Sequence, residues 1–289
     1  MRDAMIVRLA PPQPAHEEDI PSIARLLSEV FGADRAWSQE LHWQYFKNPA
    51  GRAIYVNGFD EDDRLVAHYA VIPTAPVADP KFSRIAIYLS LNTAVHPRAQ
   101  GMGLFKKAAA SVYEYLTSLG PHAVLGVANE NSVHGFISSL GFHLLGQLKV
   151  EGYLPGCNPH QEAPRLLRPT ADGVAWRLSR PGGNYQIQLM EQPICTRLHK
   201  GIPVHCILSS GGLDFQKASS PTYNSIFRWT RPAIYATYGP TTSFAWLIPE
   251  VLRPSPFHLI CRPSLGEPSL PLLNHIQSRR FELFDFDVV

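Results

Sequence analysis

The stretch that decides the fold covers residues 91–107 and reads Leu91-Asn92-Thr93-Ala94-Val95-His96-Pro97-Arg98-Ala99-Gln100-Gly101-Met102-Gly103-Leu104-Phe105-Lys106-Lys107. A predicted strand ends at Val95 and a predicted helix begins near Leu104, so the chain must turn sharply between them. Glycine accepts backbone conformations that other residues avoid, and Gly101 and Gly103 let the backbone approach a ligand closely. The stretch therefore predicts a strand–turn–helix unit with a ligand at the turn.

The same turn has the properties of a pyrophosphate-binding site. The first N–H groups of a helix have no partner within the helix, and the helix dipole places partial positive charge there. Arg98, Lys106 and Lys107 supply additional positive charge. The chain contains no Gly-x-x-x-x-Gly-Lys-[Ser/Thr] run, and the third glycine and distant acidic residue of a dinucleotide-binding fold are not evident. We therefore expect a pyrophosphate ligand outside these two nucleotide-binding classes.

A second motif lies downstream of the turn. Asn129-Glu130-Asn131-Ser132 follows a predicted strand, and Leu140-Gly141-Phe142 closes the next helix. Together with Val95-x-Pro97-x-x-Gln100-Gly101-x-Gly103-Leu104, this order resembles the acyl-CoA signature of the GNAT superfamily of acyltransferases, over about residues 5–150. The resemblance implies a mixed central sheet flanked by helices, with acetyl-CoA or a hydroxyacyl-CoA as co-substrate and no metal. The residues that it implies for CoA binding are Ala94, Val95, Arg98, Gln100, Gly101, Met102, Gly103, Leu104, Phe105, Asn129 and Asn131.

The chain departs from the family pattern in three places. Phe105 stands where many members have Gly or Ala. Phe136 and Ile137 occupy the neighbourhood of the tyrosine that often acts as general acid. Ser90 and Asn92 stand where several members have a catalytic glutamate. The usual acid–base pair therefore cannot be transferred to this chain.

The resemblance implies that an amine attacks the thioester carbonyl directly, and we expect backbone N–H groups near Asn92 to stabilise the developing negative charge. A base should remove a proton from the amine, since amines are mostly protonated at neutral pH. His68 is the first candidate, because histidine titrates near neutral pH and its strand is expected to border the acceptor pocket. His134 is the second candidate. The alternative for His68 is a hydrogen-bonded histidine of the core or sheet edge.

Within the superfamily, the pattern is most similar to bacterial nucleotide-sugar N-acyltransferases with tandem GNAT-like domains. The similarity rests on Trp43-x-Tyr45-x-x-Asn48-Pro49, on Gly103-Leu104-Phe105 and on Arg231-Pro232…Tyr238-Gly239-Pro240-Thr241-Thr242-Ser243. It implies a nucleotide-linked amino deoxysugar as acceptor, acylated for surface polysaccharide synthesis. Three alternatives are another small amine as acceptor, tRNA-dependent aminoacyl transfer, and a non-catalytic CoA-binding module. The residues expected to contact the acceptor are Trp43, Tyr45, Asn48, Tyr69, Arg231 and Tyr238.

The hydrophobic pattern predicts an α/β (α+β) chain in two parts. A linker over 155–172, rich in proline and polar residues, is predicted between an acyl-CoA-binding GNAT domain (1–154) and a second, degenerate GNAT-like domain (173–289). Trp176 and the following Pro181-Gly182 echo Trp43 and Pro49-Ala50-Gly51, which indicates an internal duplication. A first helix is predicted after the cap Asp19, where Ile23, Leu26, Leu27 and Val30 repeat at helical spacing. The other predicted helices are 38–46, 104–119, 131–140 and 270–278, and the predicted strands are 53–59, 65–72, 85–95, 123–127, 143–150, 185–190, 204–208, 233–238, 257–261 and 281–289.

Composition limits the class of protein. The 289 residues are 45% hydrophobic with a net charge of +2, which is globular and disfavours a dedicated nucleic-acid binder. The four cysteines form no Cys-x-x-Cys pair, which argues against a zinc site and a disulfide scaffold. No run resembles a signal peptide or reaches about 18 apolar residues, so we expect a cytoplasmic protein without a membrane span. The sequence leaves a homodimer open.

Overall fold

The computed structural model describes residues 5–32, 36–153, 163–183, 185–188, 192–199, 202–210, 213, 233–238, 246–248, 256–264 and 269–286. In these residues the helices are α1 (Ile20–Phe31), α2 (Trp37–Phe46), α3 (Leu104–Leu119), α4 (Glu130–Leu140), α5 (Ala171–Leu178), α6 (Ser269–Gln277) and α7 (Leu283–Phe286). The strands are β1 (Arg8–Leu9), β2 (Gln13–Pro14), β3 (Ile54–Phe59), β4 (Leu65–Pro73), β5 (Ala86–Val95), β6 (His122–Ala128), β7 (His143–Gln147), β8 (Lys149–Tyr153), β9 (Tyr185–Gln188), β10 (Gln192–His199), β11 (Ile202–Ile207), β12 (Ala233–Tyr238), β13 (Trp246–Leu247), β14 (His258–Pro263) and β15 (Phe281–Glu282).

The first sheet has the strand order β1-β3-β4-β5-β6-β14-β7, with β2 paired to β3. Only β5 and β6 run parallel to each other. Side chains alternate between the faces of a strand, and the two faces carry different helices. Tyr55 packs with α1 in one apolar cluster, whereas Ile54 and Val56 pack with α3 in another. The sheet is therefore a central layer between helices, and the predicted fold class is confirmed.

The second sheet has the order β13-β8-β12-β11-β10-β9, with β15 paired to β12. It repeats the directions of the first sheet, because β9, β10 and β11 are antiparallel, β12 is parallel to β11, and β8 is antiparallel to β12. Each sheet also contains a strand from the other half of the chain, β14 beside β6 and β8 beside β12. These pairings cross the linker predicted at 155–172, and the division into 1–154 and 173–289 stays a prediction.

Helices α2 and α5 join the two halves. The indole rings of Trp43 and Trp176 stack with their centroids 4.6 Å apart and 17° between their planes. Each indole N–H donates to the backbone carbonyl of the other tryptophan, at 2.8 Å and 3.0 Å. Reciprocal contacts of this kind arise when two copies of one motif meet about a two-fold axis. The contact therefore supports the predicted duplication of the tryptophan motif.

The structure corrects the predicted elements in three places. The predicted strand 143–150 is two strands, β7 and β8, which belong to different sheets. The chain changes sheet at Leu148, which is buried and donates its backbone N–H to the Phe257 carbonyl at 2.8 Å. The described part of the predicted strand 281–289 is the short strand β15 followed by helix α7. Helix α5 begins inside the predicted linker, where Thr170 Oγ1 accepts the Gly173 N–H at 3.1 Å.

The cysteines, the apolarity of the helices and the placement of side chains that could bind a metal bear on the class of protein predicted from the sequence. Cys195, Cys206 and Cys261 are buried, whereas Cys157 lies outside the described residues. Within the described ranges, no helix is both long and apolar enough to cross a membrane. The same ranges contain no group of three His, Cys, Asp or Glu side chains placed to hold a metal ion.

Candidate active site

A bulge in β5 opens the first sheet. Asn92 and Thr93 together stand opposite the single residue Tyr69 of β4. Asn92 has a φ of +52°, a conformation that asparagine adopts more readily than most residues. Beyond Leu89, β5 no longer pairs with β6, and the two strands diverge. The edge of residues 90–95 that would pair with β6 therefore borders an open gap.

A glycine turn follows the bulge. Residues 97–99 form a short 3-10 turn, in which His96 Nδ1 accepts the Arg98 N–H at 3.2 Å. Gly101 and Gly103 have φ values of +82° and +68°, and a Cβ at either position would meet nothing within 4 Å. Helix α3 begins directly after Gly103, so the N–H groups of its first turn have no acceptor within the helix. Both predicted features of the turn, left-handed glycines and an open helix start, are present.

The positive charges near the turn have different surroundings. The Arg98 guanidinium forms an ion pair with Asp60, whose side chain is buried. Asp60 also accepts the backbone N–H groups of Asp62 and Arg64, so Arg98 anchors the turn to the hairpin between β3 and β4. Lys106 and Lys107 are exposed on the first turn of α3. These two lysines are therefore better placed than Arg98 to meet an anion.

A groove of about 870 Å³ runs from the glycine turn, through the gap between β5 and β6, to helices α2 and α5. Its described lining carries a different chemistry at each end. The turn end is lined by Gln100, Phe105, Asn129, Asn131, Ser132, Gly135 and Phe136. We call the opposite end the α2–α5 end, and it is lined by Glu40, Gln44, Arg177 and Arg180.

Hydrogen bonds behind the groove hold the Asn92 side chain. Asn92 Nδ2 donates to Gln44 Oε1 at 2.8 Å and to Tyr45 Oη at 3.0 Å. The Tyr45 hydroxyl lies 2.8 Å from His68 Nε2, and His68 Nδ1 lies 2.7 Å from Asn57 Oδ1. Burial lowers the pKa of His68 to about 3 and raises the pKa of Tyr45, so both are neutral at pH 7. A neutral His68 donates from Nδ1 to Asn57 and accepts the Tyr45 hydroxyl proton at Nε2.

Comparison with known proteins identifies the fold. The sequence matches no protein-family model and no curated protein. Among solved structures, it resembles a conserved Enterococcus faecalis protein described as a probable N-acyltransferase, with a TM-score of 0.55 and 12% identity over 89% of this chain and 73% of that one. A GCN5-related N-acetyltransferase from Anabaena variabilis matches with a TM-score of 0.53 and 10% identity, over 94% of this chain and 75% of that one. The chain has the GNAT fold.

The GNAT-fold groove contains part of the residue set predicted for CoA binding. Val95, Gln100, Phe105, Asn129 and Asn131 line it. Asn129 also caps α4, because its Oδ1 accepts the Ser132 N–H at 3.0 Å. The side chains of Ala94 and Leu104 are buried in apolar clusters, and Met102 packs against one of these clusters. At Ala94 and Leu104 only the backbone is left to contact a ligand, whereas the Met102 side chain is half-exposed.

The structure does not place either predicted histidine at the groove. His68 is 1% exposed and lies behind Tyr45, with both ring nitrogens hydrogen-bonded. Direct proton transfer from a ligand in the groove to His68 is therefore blocked by Tyr45. His134 lies on the exposed face of α4, while its neighbour Gly135 faces the groove. Asn92 does line the groove, at the bulge.

Five of the six residues predicted to contact the acceptor lie in the described part of the chain, and each has contacts within the protein. Trp43 is buried in the stack with Trp176, and Tyr45 is buried in the Asn92 network. Asn48 Nδ2 donates to the Pro73 carbonyl at 2.8 Å. The Tyr69 hydroxyl lies 2.6 Å from that of Tyr113, and Tyr238 donates to the Leu145 carbonyl at 3.0 Å. Arg231 lies outside the described residues.

The α2–α5 end contains four residues that sequence reasoning missed. Glu40 and Gln44 are one helical turn apart on α2, and the helical spacing of polar residues could have placed them on one face. Arg177 follows Trp176 directly, and Arg180 lies four residues after Trp176. The repeated tryptophan motif could have indicated both arginines. If the two copies of the motif pair with each other, the residues next to each tryptophan are brought together.

Proposed function

We propose that this protein is an acyl-CoA-dependent N-acyltransferase that joins an acyl group to a small amine. The observation that carries the proposal is the continuous groove, which begins at a left-handed glycine turn and passes a bulged, unpaired strand edge. The glycine turn suits a pyrophosphate and the strand edge suits a thioester carbonyl. The GNAT fold is consistent with this chemistry.

Each part of the groove has a task in this proposal. The N–H groups at the start of α3 would bind the pyrophosphate of acyl-CoA, assisted by Lys106 and Lys107. The unpaired edge near Asn92 would donate N–H groups to the acyl carbonyl as negative charge develops on its oxygen. The amine would enter from the α2–α5 end, which places it on the far side of the thioester from the glycine turn.

The acceptor in our proposal is a nucleotide-linked amino deoxysugar, acylated for surface polysaccharide synthesis. The α2–α5 end supports an anionic acceptor, because Arg177 lines it in addition to Arg180, which is paired with Glu40. Guanidinium groups bind phosphate oxygens through two parallel hydrogen bonds. A nucleotide diphosphate near Arg177 would leave the sugar amine directed at the bulge in β5.

Thioester cleavage, followed as free CoA thiol, tests this proposal. Acetyl-CoA and hydroxybutyryl-CoA are each incubated with nucleotide-linked 3- and 4-amino sugars, simple amino sugars, peptides and polyamines. The proposal expects turnover with one nucleotide-linked amino sugar and none with peptides or polyamines. Turnover with a different amine would support the acyltransferase activity but would show that the acceptor is not a nucleotide-linked amino sugar. Tight CoA binding without turnover on any amine would contradict the enzyme and favour a CoA-binding module.

A further inference from the structure

A buried carboxylate faces the groove close to the bulge. Glu40, on α2, is 8% exposed and lines the α2–α5 end. Its Oε1 accepts a hydrogen bond from Arg180 Nη2 at 2.6 Å, and both side chains are almost completely removed from water. A buried carboxylate is costly unless it is paired, so this ion pair explains how α2 can hold a charge at this position.

Glu40 lies on the helix face that touches the bulge. Gln44 follows Glu40 by one helical turn, and residues separated by four positions on a helix have Cβ atoms about 5–6 Å apart. Gln44 Oε1 accepts from Asn92 Nδ2 at 2.8 Å, so this face of α2 is fixed directly against the bulged residue. Glu40 therefore lines the groove one helical turn from the residue that contacts the bulge.

The other polar groups near this place are poor bases. Arg177 and Arg180 stay protonated in proteins, and the amides of Gln44 and Asn92 do not take up protons at neutral pH. His68 is separated from the groove by Tyr45. In the described lining of the groove, Glu40 is the one carboxylate.

We propose that Glu40 is the general base for the attacking amine and that Arg180 is its positioning residue; this inference rests on the proposed acyltransferase function. Glu40 replaces the glutamate that is absent from β5, where Ser90 and Asn92 stand. Arg180 comes from the second half of the chain, so that half completes the catalytic centre.

In the proposed reaction, Glu40 accepts a proton before the C–N bond forms. The Glu40 carboxylate takes one proton from the acceptor ammonium, directly or through a water, and leaves a neutral amine. The amine lone pair attacks the thioester carbon and forms the C–N bond, and the carbonyl oxygen becomes negative near the N–H groups of the bulge. The intermediate then breaks the C–S bond, and the departing thiolate takes the remaining surplus proton from nitrogen to give CoA thiol and amide. Glu40 returns its proton to solvent.

The test compares Glu40→Gln, Glu40→Asp and Glu114→Gln with the wild type. Glu114 is exposed on α3, so Glu114→Gln is a matched control that should keep wild-type kinetics. Because general base catalysis contributes about 10²–10⁴-fold, Glu40→Gln should lower kcat by about 10²-fold or more. KM and the Kd of CoA should change less than about threefold, since Glu40 acts on the reacting nitrogen. Glu40→Asp, which keeps the charge, should lose about tenfold.

A second acceptor separates a chemical role from a structural one. An alkoxyamine is neutral at pH 7 and needs no base before it attacks, so Glu40→Gln should acylate it within about threefold of the wild-type rate. An equally large loss with the alkoxyamine and with the normal amine would overturn the assignment, and so would equal losses in Glu40→Asp and Glu40→Gln. If the wild type is active and Glu40→Gln is equally active, the role of Glu40 is overturned and the proposed function stands. An inactive wild type would instead contradict the proposed function.

Discussion

Gly103 and Gly182 have almost the same φ, +68° and +69°, and a Cβ would meet nothing within 4 Å at either position. Alanine in this left-handed region costs about 1–2 kcal/mol at each site. Gly103→Ala should therefore raise the Kd of CoA about tenfold, because the strain falls on the turn that presents the N–H groups of α3. Calorimetric titration with CoA measures the change.

Gly182→Ala is the matched control for Gly103→Ala. The two variants should lose similar free energies of unfolding, but Gly182→Ala should leave the Kd of CoA within about twofold of the wild type. Equal effects of both variants on CoA affinity would mean that the glycine turn is not the pyrophosphate site.

His68 should make the stability of the protein sensitive to acid. Its pKa is lowered from 6.5 to about 3 by burial in the folded state, so below pH 6.5 the unfolded chain binds more protons than the folded one. The free energy of unfolding is then fully retained above pH 6.5 and falls as the pH drops from there toward 3. Between pH 7 and about pH 4.5 the loss due to His68 should be about 2.5 kcal/mol. Urea unfolding at the two pH values measures it.

His68→Gln can still bond to Tyr45 and Asn57 but does not titrate, so it should remove most of this acid sensitivity. The exposed residue His134 provides a control, and His134→Gln should lose as much stability in acid as the wild type. The same acid sensitivity in His68→Gln would show that other groups cause it.

At the residue level, the sequence predicted the glycine turn and Asn92 better than it predicted the catalytic and acceptor residues. The turn residues act through backbone conformation, which a local sequence reveals. The surroundings of Trp43 and Tyr45 depend on partners that are distant in sequence, Trp176 for Trp43 and His68 for Tyr45. Aromatic residues near a predicted pocket are therefore ambiguous until these partners are known.

At the level of elements, the pairing of α2 with α5 closes the α2–α5 end of the groove. The reciprocal tryptophan contact combines ring stacking with two hydrogen bonds. Trp43→Ala should lower the free energy of unfolding by about 3–5 kcal/mol, because a large buried side chain is removed. Trp43→Phe keeps an aromatic ring and loses the N–H donor, so its loss should be smaller, about 1–3 kcal/mol. Chemical denaturation measures both.

Leu119→Ala is the control for these variants, since Leu119 is 57% exposed and its truncation should change stability by less than about 0.5 kcal/mol. A loss in Trp43→Ala no larger than that of Leu119→Ala would contradict the role given to the tryptophan pair.

The hydrophobic pattern predicted the main elements because each has a clear period of its own. The hydrophobic pattern does not indicate to which sheet a strand belongs. Residues 143–150 have one continuous strand-like composition, yet β7 and β8 pair in different sheets. The change of sheet occurs at Leu148, whose backbone N–H donates a hydrogen bond to the Phe257 carbonyl. The residues near Leu148 in the sequence do not indicate this long-range contact.

At the level of the whole molecule, the two halves exchange strands. β14 lies between β6 and β7, and a Cβ on Gly126 would come within 3.1 Å of the Ile260 side chain, so β14 packs closely against the first half. A fragment of residues 1–154 would lose β14 and expose the edges of both neighbouring strands. We expect it to be unfolded or aggregated, since unpaired strand edges associate with other chains.

Amide proton dispersion in the nuclear magnetic resonance spectrum of the fragment tests this expectation. Co-expression with residues 155–289 should restore a soluble complex, because the second fragment supplies β14 and receives β8 in return. A well-dispersed spectrum for residues 1–154 alone would show that the first half folds without the exchanged strand.

We propose that this groove transfers an acyl group from CoA to an amine. The most direct measurement counts free CoA thiol and acylated amine in the same reaction, the first by thiol reagent and the second by mass spectrometry. We predict equal amounts of the two products, formed only when both acyl-CoA and an acceptor amine are present. Thiol release that does not depend on the amine, or none with any amine despite CoA binding, would contradict it.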